Sequence, residues 1–185
     1  MALREIITVG DPRLRKHSHP VRKVTPEVRT LIHDMIETMD TENGVGLAAV
    51  QVGEMIRAIV VEIPEDEDDP YSGKLFVVLN PEIVKEGRET EVGVEGCLSI
   101  PGYVGEVERA TEVVVRGLDR FGKPFRLRPR GFLARVFQHE IDHCNGVLYT
   151  DRLVAPDRIW EVTAGEEEQT EVEHAQQQHA ETPLV

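Results

Sequence analysis

Cysteine, aromatic residues and long apolar runs are all scarce in this 185-residue chain. Two cysteines do not make a disulfide scaffold, and a chain of this length buries about 70% of its unfolded surface, so its core needs neither disulfides nor a structural metal. Five Phe, three Tyr and one Trp are too few to suggest a base-stacking platform. No apolar run approaches the ~20 residues of a membrane span, so no membrane partner is expected. Glu5 stands where a secretory leader would begin its apolar segment, and the chain reads as soluble and cytoplasmic. Positive charge is the minority sign: 21 Lys and Arg face 34 Asp and Glu, a formal net charge of −13. That disfavours a broad phosphate-binding face, and with it DNA as a partner, although a local basic patch is compatible with it.

The acidity is unevenly placed. Seven glutamates and no lysine or arginine follow Arg158, which leaves a formal −6 on residues 1–158. From Gly165 onward Glu, Gln and Ala dominate and apolar anchors nearly vanish. This predicts one catalytic domain over residues 1–165 and an acidic, disordered tail over 166–185. A second acidic stretch, Glu62 to Asp69, separates the apolar runs Ala58 to Val61 and Leu75 to Leu79. It reads as an exposed loop joining two buried strands, and it lacks the spaced Asp/Asn/Gly pattern of a calcium loop.

Thr25 as a cap, Pro26 in the first turn and Val28, Leu31, Ile32, Met35, Ile36 and Met39 at helical spacing predict an early helix, with His33 off its apolar stripe and solvated. Thr111 to Leu118, the turn Asp119 to Lys123 and Pro124 to Leu127 read as a hairpin. A second helix is expected from near Phe132 to Cys144, after Gly131 and before the stop at Asn145-Gly146. Its apolar residues cover more than one face, which predicts central burial. Strands followed by a buried helix, without βαβ alternation, predict an α+β fold: a single domain of antiparallel or mixed sheets packed around that helix.

The strongest local signal lies on the second helix, in His139-Glu140-Ile141-Asp142-His143. Histidines four apart sit one turn above each other, so both imidazoles can reach one ion. Glu140 stands one position round from His139, close enough to take a proton from water at that ion. Two histidines and two carboxylates amid Phe137, Ile141 and Cys144 make a merely structural reading strained, since buried ionisable groups are costly unless paired or ligating. Asp142 fits a partner for an imidazole or a basic side chain as well as it fits a solvated carboxylate, and Glu95 could likewise pair with a cation. Two histidines alone do not complete a catalytic site, where a third protein ligand is usual. Tyr149 occupies the place of the third histidine of metzincin-type endopeptidases. Glu161 could serve as a downstream carboxylate but opens a polar, poorly patterned segment; His174 and His179 lie deeper in the tail. Cys97, in Glu95-Gly96-Cys97-Leu98-Ser99, is a strong soft ligand, yet by spacing alone it reads equally as a small buried hydrophobe.

Gly44-Val45-Gly46-Leu47-Ala48-Ala49-Val50-Gln51 is a third segment of note, without the Lys-Ser/Thr of a phosphate loop. The three segments, in this order, resemble the bacterial-type peptide deformylases, which carry Gly-x-Gly-x-Ala-Ala-x-Gln, Glu-Gly-Cys-x-Ser and Gln-His-Glu-x-Asp-His. The opening Val9-Gly10-Asp11-Pro12-Arg13-Leu14-Arg15 is similar to that family's too, and the resemblance runs from about Ile6 to about Leu153. Two positions depart from the family's usual pattern: Cys144, where leucine is common, and Arg135, at a helix position often apolar in relatives, which bears on the pocket lining.

The resemblance implies hydrolysis of the formyl group from N-formylmethionine on newly made chains, with transient ribosome association possible. It implies Cys97, His139 and His143 as ligands of one divalent ion, Fe²⁺ by family habit, with Zn²⁺ or Ni²⁺ in isolated protein. Glu140 would be the general base; the Gln51 side-chain amide and the Leu98 backbone N–H would stabilise the oxyanion; Gly46 would bind substrate through its backbone. Val45, Phe132 and Val136 are candidates for the apolar pocket that takes the methionine side chain. Two other readings stay open: an endopeptidase with Glu161 as third ligand, and a non-catalytic metal-bearing module that binds formylated N-termini.

Overall fold

A computed structural model describes residues 2–65 and 70–162. The tail expected at 166–185 lies outside the described residues, as do His174, His179 and the end of the expected domain.

The first helix, α1 (Pro26–Thr41), begins where expected: the Thr25 hydroxyl accepts from the Val28 N–H, and Pro26 fills the first position. Leu31, Ile32, Met35 and Met39 are buried on one side, while His33 is exposed. Five strands form the larger sheet: β1 (Gly46–Ala48), β2 (Ala58–Val61), β3 (Phe76–Glu86), β6 (Val113–Leu118) and β7 (Pro124–Leu127), in that spatial order. A smaller sheet pairs β4 (Thr90–Gly96) with β5 (Tyr103–Ala110), and β5 with β8 (Ile159–Glu161). Every strand pair is antiparallel. The second helix, α2 (Gly131–Cys144), touches β1, β2 and β3 of one sheet and β5 of the other, so the α+β arrangement is the expected one.

The period of a strand explains why Ala58 to Val61 is apolar at every position. Successive side chains point to opposite faces, and here both faces are covered. Ala58 and Val60 pack with Leu31, Ile32, Met35 and Met39 of α1, whereas Ile59 and Val61 pack with Leu133, Phe137, Ile141 and Cys144 of α2. Leu133 and Phe137 are fully enclosed, each worth about 1.5–3 kcal/mol relative to exposure. The anticipated hairpin joins β6 and β7, its turn built on the Asp119 carboxylate accepting from the N–H groups of Phe121 and Lys123, with Gly122 at positive φ.

The sequence patterning missed the β4–β5 hairpin. On β4 the buried positions are Gly93 and Glu95, and on β5 Arg109 is buried beside Val107 and Ala110. A strand that turns glycine and charge inward carries no apolar alternation to detect. Glu161 is also placed differently from expectation. It closes the short strand β8 opposite Tyr103 and is exposed, because β8 extends the small sheet with Trp160 paired to Val104.

Candidate active site

Helix α2 sets His139 and His143 one turn apart, with their Nε2 atoms 3.2 Å from each other. The small sheet supplies the third group. Strand β4 ends at Gly96, the Ile100 N–H turns back to the Cys97 carbonyl, and the loop is tied down by Val9 N–H donating to the Ser99 carbonyl. Cys97 Sγ thereby comes 3.3 Å from His143 Nε2. One donor atom from each of Cys97, His139 and His143 lies within 4.8 Å of the other two.

Two observations show that this trio fits a metal ion. The donor set, one sulfur and two imidazole nitrogens, is that of first-row divalent ions, and three protein donors leave a coordination position for water. Beside it, Glu140 Oε2 and His143 Nδ1 are buried polar atoms with no hydrogen-bond partner among the described residues. Buried polar atoms are rarely left so unless the site works on something polar. Burial pushes the Glu140 carboxyl up to about 7. Burial also holds His143 well below its ordinary value, which favours the neutral imidazole that ligates.

Strand β1 and the turn after it bring the remaining predicted residues. Gly46 lies directly against Glu140: a Cβ at residue 46 would stand 2.5 Å from Glu140 Oε1 and 2.8 Å from its Cγ. Gln51 is buried in the 3-10 turn Ala49–Val52, its Oε1 accepting from the Ala48 N–H at 2.8 Å. That bond fixes the amide so that Nε2 reaches Ser99 Oγ at 3.3 Å and Cys97 Sγ at 3.6 Å. Leu98, next to Cys97 in the chain, packs its side chain toward the α1 cluster. Val45 and Phe132, half-buried, and Val136, buried, belong to one apolar cluster. Contacts thus link Gly46 to Glu140, Gln51 to Cys97, and Cys97 to His143 and His139, whereas Val45, Phe132 and Val136 share an apolar cluster and Glu161 is exposed on the small sheet.

Residues 3–158 match the family model described as Polypeptide deformylase. The chain belongs to the peptide deformylase family. It is 48% identical over 175 residues to the peptide deformylase of Thermomicrobium roseum, covering 92% of this chain and 97% of that protein. It is 50% identical over 154 residues to peptide deformylase 2 of Vibrio vulnificus, covering 83% and 88%. Among solved structures, peptide deformylase from Thermotoga maritima superimposes with a TM-score of 0.77 at 41% identity, covering 84% of this chain and all of that one. The Ehrlichia chaffeensis deformylase in complex with actinonin gives 0.77 at 35% identity, covering 98% and 100%. The family is one of metal-dependent hydrolases that take the N-formyl group from nascent peptides.

Around the deformylase centre runs a buried ionic network that sequence reading only half anticipated. Glu95 accepts Arg109 Nε and Nη2 at 2.8 and 2.9 Å, Arg135 Nη1 at 3.0 Å, and meets His139 Nδ1 at 2.9 Å. Burial alone would raise the Glu95 carboxyl, but the bonds from Arg109 and His139 outweigh it and hold the group well below the ordinary carboxylate range. Asp142 is no solvated carboxylate; it binds Arg109 at 2.6 Å and Arg152 at 2.5 and 2.7 Å. Glu95 and Asp142 stand out in the sequence as candidates for pairing, Arg135 only as a charge where the family's helix is often apolar, and Arg109 not at all. Arg109 could have been flagged by its phase, since it stands two residues beyond the buried Val107 on one strand. Cys144 is free, as is Cys97, and lies fully inside the core, where burial pushes its thiol up to about 12. It replaces a leucine by packing as one.

Proposed function

We propose that this chain hydrolyses the N-formyl group of N-formylmethionine on newly synthesised polypeptides, with one divalent ion held by Cys97, His139 and His143. What carries the reading is the meeting of Sγ and two Nε2 atoms beside a buried, unpartnered Glu140 oxygen. When bound, such an ion supplies Lewis acidity and makes water a competent nucleophile near neutral pH.

The protein's own groups do the rest. The Glu140 carboxylate takes a proton from the attacking water and hands it to the leaving amine. The Gln51 Nε2–H and the Leu98 backbone N–H donate to the oxyanion as charge develops on the former formyl oxygen, and the Ala48–Gln51 bond means the amide needs no reorientation at that moment. The Gly46 backbone holds the substrate alongside Glu140. Val45, Phe132 and Val136 form the apolar wall for the methionine side chain. Fe²⁺ is the resident ion in this reading, with Zn²⁺ or Ni²⁺ able to take its place, because a sulfur and two imidazoles suit several first-row ions. Acting on nascent chains places the enzyme in the cytoplasm, with transient contact to the ribosome.

Anaerobically purified protein is expected to carry about one ion per chain and to release formate from a formylmethionyl tripeptide. Cys97→Ala should lose both together. Cleavage of internal peptide bonds that is indifferent to Cys97→Ala would favour the endopeptidase reading, and peptide affinity without turnover the binding module; formate release undiminished in Cys97→Ala would remove Cys97 from the ligand set. A second expectation concerns Gly46→Ala. The new methyl would press on the Glu140 carboxylate, so kcat is expected to fall at least about tenfold, the scale on which small misplacements of reacting groups act. Ion content should stay unchanged, and wild-type kcat in Gly46→Ala would refute the close approach.

A further inference from the structure

We propose that Arg135 is a positioning residue for His139, acting through Glu95, and that Gly93 is the position that admits it; the proposal rests on the metal-centre reading above. Arg135 and His139 stand one turn apart on α2 and share one carboxylate of β4. Arg135 Nη1 donates to Glu95 Oε1 at 3.0 Å, and His139 Nδ1 meets Glu95 Oε2 at 2.9 Å. The same guanidinium donates to the backbone carbonyls of Val107 on β5 and Glu91 on β4, both at 2.9 Å. It is thus fixed to both strands of the hairpin, with only 5% of the residue exposed.

An arginine there is costly, because its sequence neighbours Leu133, Ala134, Val136 and Phe137 are otherwise core residues and an apolar side chain would fill the space without desolvating a charge. What the charge adds is asymmetry at Glu95. Arg109 already grips both carboxylate oxygens, and Arg135 adds a second cation on Oε1 alone. The carboxylate is then pinned from one side, leaving Oε2 to accept from the His139 Nδ1–H and to turn the Nε2 lone pair toward Cys97 and His143. Partners of this kind, outside the ligands themselves, set imidazole orientation and basicity.

Gly93 completes the device. Its φ is not among the positive values, so its backbone does not require glycine. Room does: a Cβ at residue 93 would lie 2.7 Å from Arg135 Nη2 and 2.8 Å from Cζ.

The test is titration of the metal-free full-length protein with Co²⁺, followed by its visible ligand-field and thiolate bands. Arg135→Met is expected to bind Co²⁺ about 10–100-fold more weakly, with shifted ligand-field bands. Gly93→Ala should reproduce that shift by displacing the guanidinium without removing it, and the double variant should be no weaker than Arg135→Met alone. Arg135→Lys, which keeps the charge but cannot bridge the two carbonyls, should restore part of the affinity. Should Arg135→Met fail to fold, Gly93→Ala and Arg135→Lys carry the same comparison. Wild-type Co²⁺ affinity and spectrum in the folded variants, with only a lowered Tm, would overturn the proposal and leave Arg135 a packing residue. A wild-type protein that binds no Co²⁺, or whose thiolate band survives Cys97→Ser, would instead overturn the metal-centre reading and the proposal with it.

Discussion

Glu140→Gln is expected to keep its ion and lose formate release by about 10²–10⁴-fold, the range contributed by a positioned general base. The glutamine is nearly isosteric and makes no bond to the three proposed ligands, so ion content measured by elemental analysis should match wild type. What it lacks is a carboxylate that can accept the proton of the attacking water. The loss should appear in kcat, with KM little changed, because the proton moves only in the transition state. The pH profile of the wild type carries the same signature. A base works ionised, so kcat/KM should fall tenfold per pH unit on the acid side of its titration. Burial places that titration at about 7 in the free protein, and a cation bound beside it favours the carboxylate, so the acid limb of the loaded enzyme should lie below that value. Glu140→Gln turnover within twofold of wild type would remove the assigned base.

Glu95→Gln is expected to be the most destabilising single change near the site, by about 3–5 kcal/mol. The whole domain has of order 5–15 kcal/mol, so the variant stands at the edge of folding. Its cause is electrostatic. Arg109 and Arg135 are both buried, and both turn their guanidinium groups to this carboxylate; a neutral amide leaves two desolvated cations short of an anion. The sign with pH follows from the direction of the shift. Glu95 is held well below the ordinary value in the folded protein, so its contribution is complete above about pH 4.3, the unfolded value, and is lost as pH falls from there toward the folded value. Urea denaturation should therefore show a wide gap between wild type and Glu95→Gln at pH 7 that narrows below about pH 4.3. A gap of less than about 1 kcal/mol at neutral pH would mean that the network contributes no more than an exposed ion pair.

These two expectations concern residues that the sequence displays with unequal clarity. Glu140 is conspicuous because it stands between histidines four apart on a helix whose burial is written in Phe137, Ile141 and Cys144. The helices α1 and α2, the doubly buried strand Ala58–Val61 and the Asp119–Lys123 turn are legible for the same reason: each is governed by neighbours within a few residues, through a cap, a period or a turn residue. The motif segments around Gln51, Cys97 and His139 likewise name their chemistry, and with it the family, before any fold is known.

Tertiary structure decided what depends on distance across the chain. By spacing alone Cys97 was as good a buried hydrophobe as a ligand, and only the end of β4 brings its sulfur to His143. Asp142 was open between solvent and a salt bridge until Arg109 and Arg152 reached it from two other elements. Arg135 stands out in the sequence only as a charge at a helix position often apolar in the family, and Gly93 not at all, since a guanidinium in a core and a glycine with ordinary φ make sense only as a pair. Local periodicity records which side of an element faces inward. It does not record which charges meet there, because the Coulomb energy that makes burying them tolerable exists only once both partners have been brought together.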